Sequence, residues 1–352
     1  MKTTQRSLFL PLPLLILAVL ALASLFTSCR KKQVNTSFYY WKTVYKDTPA
    51  ESDWLRHFKT RKLYMRIMDV AIVDGDPRPV PVSPILFQSK IADSIELIPV
   101  VFIVNDVLRN TGKPQLDELA KKIVGFVNGK VEQAGKSSYN ELQIDCDWTA
   151  TTRDNYFYLL KQIRSANGLK AKTLSATLRL HQIKNQKVSG IPPVNRVMLM
   201  CYNMGNLRLY GKQNSILDIN ELKKYANENI GDYHLPIDIG LPLFSWAVAF
   251  REKNYIGITK RINKDTLDNK NQFIFKGNNI YQTLTDLPQY GLNRDDEIRW
   301  ETINANDLQA VAKYLSPLLK TDTVNIIYFH LDAAALKAYT YETLEKTNHM
   351  FR

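Results

Sequence analysis

Short apolar runs alternate with amphipathic segments along most of the chain. The runs predict eight strands, near residues 37–44, 62–70, 98–104, 141–148, 173–179, 196–203, 237–244 and 323–330. Residues 153–166 and 115–134 repeat apolar side chains at helical spacing, and Leu308, Val311 and Leu315 suggest a helix before the last strand. A final helix is expected after Asp332. Alternating strands and helices predict an α/β protein with a parallel sheet. Eight strands in series favour a closed (β/α)8 TIM barrel over the competing architecture, a doubly wound open sheet.

Two stretches interrupt this alternation. Residues 72–97 begin with Asp74-Gly75-Asp76-Pro77-Arg78-Pro79, which predicts a turn and an extended loop. Residues 251–303 are too long for a simple connection and contain the strand-like Phe273-Ile274-Phe275. We interpret residues 251–303 as an insertion between strand seven and its helix, within a barrel that spans residues 37–352.

The first residues read as a targeting segment and not as part of the fold. Lys2 and Arg6 precede an apolar run from Leu8 to Phe26, and small residues then lead to Cys29. The alternative is a membrane-spanning anchor, but Pro11 and Pro13 shorten the usable helix. Residues 26–29 resemble a bacterial lipobox, which implies a signal peptide over residues 1–28, acylation of Cys29 and a tether over residues 29–36. The expected location is the cell envelope, lipid-anchored, in the outer membrane of a Gram-negative bacterium.

Charge and cysteine content add little to this picture. The formal charge of +13 falls to +11 without Lys2 and Arg6, and the basic residues are scattered. This distribution favours solvated lysines over a nucleic-acid footprint. Cys146 and Cys201 lie in predicted core strands and read as buried thiols. The histidines are widely spaced and the common nucleotide, zinc and serine-hydrolase motifs are absent from the sequence, so we expect no metal, no cofactor and a monomer.

Candidate chemistry concentrates on the fourth predicted strand. Because strand side chains alternate, Glu141, Gln143, Asp145 and Asp147 share one face, opposite an apolar face. Buried carboxylates cost free energy unless they are paired or hydrogen-bonded. Two acids near the carboxyl end of a barrel strand therefore predict a site, with Asp145 and Asp147 as its catalytic candidates. The alternative is a structural polar network within the barrel.

Other polar and aromatic residues stand at the ends of the remaining strands. Arg179 is a plausible partner for the acids, since its planar guanidinium matches a carboxylate. Aromatic rings stack on sugar rings, although they are also ordinary barrel core. The predicted substrate-binding set is Tyr40, Trp41, Asp69, Arg179, Tyr202, Asn203, Trp246 and His330.

These motifs resemble the chitinase-like glycoside hydrolases of family 18. Ile144-Asp145-Cys146-Asp147-Trp148 looks like the Asp-x-Asp-Trp core of that family's fourth strand. Met200-Cys201-Tyr202-Asn203 is similar to the Met-x-Tyr-Asp motif of its sixth strand, and Gly240-Leu241-Pro242-Leu243-Phe244 to the Gly-x-Pro-x-aromatic motif of its seventh. The matches occur in the family's order, and the insertion falls where many members carry a small extra domain. The resemblance implies a TIM barrel that acts on glycans.

The chain also departs from the family pattern. The resemblance implies a catalytic glutamate two residues after the second aspartate, where this chain has Thr149. Leu142 stands where the family has an acid, three residues before the first aspartate. Asn203 replaces the aspartate at the end of the sixth strand, and Phe329 replaces the tryptophan of the eighth. Threonine cannot protonate a leaving group as a carboxylic acid does, so the family mechanism is not available at Thr149. The resemblance therefore implies a lipoprotein branch that lacks the catalytic glutamate.

Three functions stay open from the sequence. The first is a glycosidase at the envelope whose acid lies elsewhere, with Asp147 as the candidate if burial and Asp145 raise its pKa. The second is a chitinase-like lectin that binds glycans without cleaving them. The third is an envelope scaffold without a ligand, which predicts no organised cluster at the strand ends.

Overall fold

The computed structural model describes residues 31–74, 76–259 and 261–352. The predicted signal peptide and Cys29 lie outside the described residues. The strands are β1 (Gln33–Tyr40), β2 (Val44–Tyr45), β3 (Lys62–Val73), β4 (Asp76–Val82), β5 (Leu86–Phe87), β6 (Glu96–Ile103), β7 (Glu141–Asp145), β8 (Thr173–Arg179), β9 (Arg196–Met200), β10 (Ile237–Pro242), β11 (Trp246–Arg251), β12 (Asn254–Thr259), β13 (Phe273–Gly277), β14 (Ile280–Thr283), β15 (Glu297–Glu301) and β16 (Thr323–Phe329).

The helices lie between the strands of the first sheet and after its last strand. They are α1 (Pro49–His57), α2 (Asn105–Arg109), α3 (Lys113–Gln133), α4 (Arg153–Ser165), α5 (Leu180–Lys184), α6 (Gln186–Ser189), α7 (Ile219–Tyr225), α8 (Asn227–Gly231), α9 (Lys264–Leu267), α10 (Ala305–Leu315), α11 (Ala333–Leu336) and α12 (Tyr341–His349). Single 3-10 turns cover Pro288–Tyr290 and Ser316–Leu318. None of the described helices is long and apolar enough to cross a membrane.

Eight parallel strands close into a barrel. Their order is β1-β16-β10-β9-β8-β7-β6-β3, and β3 pairs with β1 to complete the ring. The predicted (β/α)8 barrel is therefore confirmed, and the open sheet is excluded. Because all eight strands run the same way, their carboxyl ends meet at one end of the barrel, the mouth, and their amino ends at the other, the floor.

Amphipathic helices cover the barrel as their spacing predicts. On α4, the residues Tyr156, Leu159, Leu160 and Ile163 are fully buried, and they form one face of the helix. At the start of α10, Asn304 accepts from the Asp307 backbone N–H while the Asp307 side chain accepts from that of Asn304. This reciprocal cap satisfies two otherwise free donors and fixes where the helix begins.

The stretch predicted as a loop contains a strand. β3 continues beyond the barrel to Val73, and β4 folds back against it in antiparallel pairing. The sequence did not predict this strand because it contains a proline at every second position, Pro77, Pro79 and Pro81. They are tolerated because β4 is an edge strand, so the missing N–H groups interrupt no second partner.

A second, five-stranded antiparallel sheet lies in the chain between β10 and α10. Its order is β12-β11-β15-β14-β13, and it begins at Trp246, earlier than residue 251. The strand-like Phe273-Ile274-Phe275 forms part of β13. Phe273, Leu287 and Ile298 belong to a small core of its own.

Buried polar contacts tie this sheet to the loop after β9. Glu301 accepts from the backbone N–H and hydroxyl of Ser215, and Arg299 donates to Glu301 and to the carbonyl of Leu209. Arg299 and Glu301 are each 1 % exposed in their side chains. The sheet and the loop therefore form one wall beside the mouth.

Both thiols of the described chain are free and buried. Burial raises the pKa of Cys146 and of Cys201, which is typical of inert core cysteines. This agrees with the sequence interpretation.

Candidate functional site

A pocket of about 190 Å³ opens at the mouth of the barrel. It is lined by Tyr39, Trp41, Phe102, Asp145, Asp147, Thr177, Arg179, Met198, Met200, Tyr202, Asn203 and Phe329. The predicted residues Trp41, Asp145, Asp147, Arg179, Tyr202 and Asn203 are among them. The structure therefore brings together side chains from six different barrel strands and from residues that closely follow them.

The two aspartates are held by the strand next to them. β7 and β8 pair in parallel with Gln143 opposite Ser175. The same register places Thr177 beside Asp145, where its hydroxyl donates to Oδ1 at 2.6 Å, and Arg179 beside Asp147. Polar residues at every second position of both strands therefore form one ladder inside the barrel.

The ladder continues downwards from the mouth. Tyr39 donates to Gln143, Gln143 Nε2 donates to Ser175 Oγ at 3.4 Å, and Ser175 donates to Glu141 at 2.7 Å. Every one of these side chains is buried. The inward face predicted from residues 141–147 thus exists, and its lower half is a structural network because each member there is partnered within the protein.

Asp145 and Asp147 differ in environment. Asp145 is 9 % exposed, and burial raises its pKa to about 7, although the Thr177 hydrogen bond opposes the shift and the neighbouring Asp147 adds to it. The Asp147 side chain is 46 % exposed, and Arg179 Nη1 lies 2.8 Å from its Oδ2. Arg179 also donates to the carbonyl of Asn203 at 3.0 Å, so the guanidinium is fixed from two sides.

This arrangement revises the proton-donor hypothesis made from the sequence. Asp147 is the half-exposed partner of an arginine, so its side chain is already engaged within the protein. The raised pKa belongs to Asp145, which is deeper in the barrel.

Aromatic rings form the wall of the pocket opposite the aspartates. The Phe329 ring lies 5.4 Å from that of Trp41, 5.7 Å from Tyr39 and 5.3 Å from Tyr202. These separations are typical of packed aromatic pairs. Phe329 occupies the position where the resemblance implied a tryptophan, and it is the centre of the cluster.

Gly240 on β10 makes room for one of these rings. A Cβ at this position would lie 2.5 Å from Met198 Sδ and 3.2 Å from Tyr202 Cε1. Tyr202 can therefore pack against the strand only because residue 240 has no side chain.

Thr149 is turned towards its own loop. Its hydroxyl lies 3.0 Å from that of Thr151 and 3.3 Å from that of Thr152, and its backbone N–H is bonded to Thr152 Oγ1 at 3.0 Å. Thr149 is exposed and does not line the pocket. Position 149 therefore supplies neither a carboxyl group nor a hydroxyl to the mouth.

Tyr40 does not belong to the pocket. Its hydroxyl donates to the Val44 carbonyl at 2.7 Å, on the outer side of β1. Tyr40 and Trp41 were both predicted to bind substrate, yet consecutive residues of a strand point to opposite faces. Tyr39 is the inward tyrosine, and the period of two was the signal that could have found it.

Three other predicted residues lie just outside the pocket. Asp69 receives two hydrogen bonds from Arg66, which in turn lies 5.9 Å from the Trp41 ring. Trp246 donates to Glu301 at 2.8 Å and therefore belongs to the wall formed with the second sheet. His330 packs behind Phe329, and burial lowers its pKa. These residues support the pocket and do not line it.

The sequence interpretation also missed several lining residues. Phe102, Thr177, Met198, Met200 and Phe329 line the pocket and were not predicted. Apolar residues on a barrel strand give the same sequence signal whether they face the mouth or the core. Thr177 was detectable, since it shares the alternating face of Arg179.

Two of the larger cavities lie at the two ends of the barrel. A groove of about 770 Å³ adjoins the mouth pocket and shares Arg179, Tyr202 and Asn203 with it. A cavity of about 970 Å³ lies at the floor, at the opposite end from the aspartates. Within the described residues, no cluster of His, Cys, Asp and Glu is arranged to hold a metal ion.

The fold matches solved structures of glycan-active proteins. The spore cortex-lytic enzyme SleL of Bacillus cereus superposes with a TM-score of 0.54 at 13% identity, over 91% of this chain and 75% of that one. The Ostrinia furnacalis Group II chitinase catalytic domain 2, solved with penta-N-acetylchitooctaose, gives 0.51 at 12% identity over 91% and 96%. The fold is that of the chitinases.

A further chitinase agrees with this assignment. The Ostrinia furnacalis Group IV chitinase, in complex with allosamidin, gives a TM-score of 0.51 at 10% identity, over 90% of this chain and 98% of that one. No protein-family model and no curated protein sequence matches the chain. The chitinase-like resemblance seen in the motifs is thus confirmed at the level of the fold.

Proposed function

We propose that this chitinase-like barrel binds a glycan at its mouth without cleaving it by the chitinase mechanism, and that it is held at the bacterial envelope by acylation of Cys29. The binding role follows from the pocket, where aromatic rings face two aspartates and an arginine. Aromatic faces stack on sugar rings, and the charged groups offer hydrogen-bond partners for hydroxyl or acetamido groups.

The proposal depends most on the environments of Thr149 and Asp147, the two positions at which a proton donor was expected or considered. Thr149 has its hydroxyl among neighbouring threonines, and Asp147 is engaged by Arg179. Glycoside cleavage needs a proton donor beside the leaving oxygen. Neither residue is suited to protonating a leaving group. Asp147 can instead accept hydrogen bonds from a bound sugar, and Arg179 can donate them.

The ligand class we favour is a polymer of N-acetylhexosamine. The chitinase structures that this fold matches were solved with penta-N-acetylchitooctaose and with allosamidin. The adjoining groove extends the mouth pocket past Tyr202 towards Tyr210 and Tyr225, which leaves room for more than one sugar ring. Clefts that bind ligands of this size combine such volume with a few fixed polar groups.

A second candidate, a glycosidase, rests on Asp145. Its pKa of about 7 keeps a proton available near neutral pH, as a general acid requires. Asp145 lines the pocket, but it is 9 % exposed and its carboxyl is bonded to Thr177. This candidate predicts that activity depends on Asp145 and falls as pH rises above about 7.

Both candidates are separated by one experiment on residues 30–352, which contain the whole closed barrel and its core. Sugar release and ligand-induced change in melting temperature are measured across N-acetylhexosamine polymers and acidic glycans. Asp147→Asn, Asp145→Asn and the control Asp106→Asn, whose side chain is 73 % exposed, are run in parallel.

For the binder, we expect no release, a rise in melting temperature with the ligand, and loss of that rise in Asp147→Asn only. Release that disappears in Asp145→Asn and persists in Asp106→Asn would replace the binder with the glycosidase. No response of any variant to any glycan would leave the scaffold.

The anchoring part of the proposal is tested separately on the full chain. Mass spectrometry of the membrane fraction should find an acylated N-terminal cysteine at position 29, and Cys29→Ser should abolish the modification. A mature protein that keeps residues 1–28 would contradict the lipoprotein assignment.

A further inference from the structure

A cavity of about 970 Å³ lies at the floor of the barrel, at the opposite end from the mouth. It is formed by the start of β1, the turn between α1 and β3, and the end of α12. Part of its inner surface is polar: Asn35 donates to Asn325 at 2.9 Å, and Asn348 donates to Thr36 at 2.9 Å. Because polar and apolar surface line the cavity in nearly equal measure, a group that enters it has to be at least partly hydrophilic.

The charged groups at this cavity are unequally paired. Lys346 lies 2.7 Å from Glu342, and His57 lies 2.7 Å from Glu345. The third pair joins Lys62 to the buried Glu141 at 3.3 Å. These contacts account for the acidic side chains that line the cavity.

Among the described residues, three cationic side chains that line the cavity have no such ion pair: Lys59, Arg61 and, at the end of the chain, Arg352. Lys59 and Arg61 line the cavity and are exposed, and neither lies within ion-pair distance of an acidic group in the described part of the chain. Thr60, between Lys59 and Arg61, is buried, and its backbone N–H donates to the Leu55 carbonyl at 2.9 Å. The unpaired charge at the floor is therefore positive and faces solvent.

The chain enters the barrel beside this cavity. Lys32 is fixed to the floor by hydrogen bonds from its ammonium group to the carbonyls of Ser316 and Leu319, the latter at 2.9 Å. Only three residue steps separate Lys32 from Cys29, and an extended chain spans at most about 3.6 Å per residue, or about 11 Å in all. An acyl group on Cys29 would hold the floor that close to the lipid.

We infer that the floor cavity is the surface on which the barrel sits on its own membrane, with Lys59 and Arg61 against the phosphates of anionic lipid headgroups. This inference rests on the proposed acylation of Cys29 and is independent of what the mouth binds. The Debye length at physiological salt is about 8 Å, so the attraction acts once Lys59 and Arg61 come within about that distance of the headgroups.

The same seating orients the candidate site. β1 runs from floor to mouth over eight residues. Its length is therefore about 26 Å at about 3.3 Å per residue, and the mouth opens on the side away from the lipid. The glycan would then be presented from the surroundings of the membrane and not from the membrane itself.

The test measures co-sedimentation of residues 30–352 with vesicles of phosphatidylcholine alone and of phosphatidylcholine mixed with phosphatidylglycerol. Lys59→Gln with Arg61→Gln is compared with Lys212→Gln and Lys276→Gln, which remove the same charge from exposed positions in the loop after β9 and in β13. Glutamine removes the charge and keeps a polar, unbranched side chain, and the left-handed backbone at Lys59 is as costly for one residue as for the other.

We expect binding to the mixed vesicles only, reduced about tenfold to thirtyfold in the floor variant and unchanged within about twofold in the control. Asp147→Asn should bind vesicles like the unmodified protein, so a failed glycan assay does not affect this result. Equal losses in the two double variants, or binding that ignores the anionic lipid, would overturn the inference.

Discussion

The two ends of this barrel differ in whether their charged side chains are paired. At the mouth, Asp147 is paired with Arg179 and Asp145 is buried with its hydrogen-bond donor, so the pocket presents aromatic faces and balanced polar groups. At the floor, Lys59 and Arg61 line a cavity five times larger and have no acidic partner in the described chain. Balanced charge with flat apolar faces suits a sugar, whereas unpaired cations suit an anion.

The difference shows how one fold separates recognition from attachment. Every strand contributes one end to the mouth and the other end to the floor, and the polar ladder on β7 and β8 lies between them. Changes at either end should therefore leave the other end intact, which is the basis of the predictions below.

The largest effect is expected in the wall of the mouth. Glu301→Ala removes the acceptor for Ser215, Trp246 and Arg299 and leaves the buried Arg299 without its carboxylate. Breaking such a pair should lower the free energy of unfolding by about 3–5 kcal/mol. Chemical denaturation checks this, and Glu301→Gln, which keeps an acceptor, should lose less. A loss below about 1 kcal/mol would mean that the wall does not depend on this cluster.

The next prediction compares a buried acid at each end. The pKa of Asp145 is about 7 in the folded protein and about 3.9 in an unfolded chain. The folded state therefore binds more protons between about pH 4 and pH 7, and its stability falls as pH rises through this window. Asp145→Asn should remove that fall, so the variant gains up to about 4 kcal/mol relative to the parent at pH 8 and nothing below pH 4.

Asp238 is the matched acid at the floor. Burial raises its pKa to about 6, so its window closes at lower pH. Asp238→Asn should flatten the profile only between about pH 4 and pH 6, and it should also destabilise the barrel because Arg196 loses its partner. Melting temperatures measured over this pH range check both variants. Identical profiles for the two would contradict the assigned environments.

A smaller effect is expected for ligand binding. Phe329→Ala removes the ring that joins Trp41, Tyr39 and Tyr202, and it should weaken glycan binding about tenfold through lost stacking and a less rigid pocket. Calorimetry with the best ligand from the panel measures the change. Phe275→Ala, at a 58% exposed ring of the second sheet, is the control. Equal affinities for both variants would argue that the aromatic cluster is only core.

The smallest effect is expected at the floor. Glu342→Gln breaks an i,i+4 pair with Lys346 on α12, where both side chains are mostly exposed. Such pairs add little, so the melting temperature should not change measurably. A clear decrease would show that the floor depends on its ion pairs as the wall does.

Much of the fold was predictable because buried barrel strands appear in the sequence as short apolar runs. Seven of the eight apolar runs and the helical faces of α3 and α4 lie where their spacing places them, whereas β1 begins at Gln33, four residues before the predicted start and within the predicted tether. The strand β4 was not predictable, since its three prolines are compatible with pairing only at an edge, and the sequence does not show which strand is at an edge.

The site was predictable in part for the same physical reason. Alternation on β7 found Asp145 and Asp147, and it indicated Arg179 on β8. It did not reveal that Asp147 is the exposed member and Asp145 the buried one, because burial depends on how far the neighbouring strands extend. Phe329 was noted only as a replaced tryptophan, since its role comes from rings contributed by distant parts of the chain.

Gly240 has a consequence for how the pocket could change over generations. An alanine there would meet Met198 Sδ at 2.5 Å and Tyr202 Cε1 at 3.2 Å, so these two side chains, which line the pocket, would have to shift and change the space for a sugar. Gly240 does not line the pocket, yet its missing side chain affects how large a ligand the pocket can hold. A screen for altered sugar preference would find its informative variants behind the pocket as well as within it.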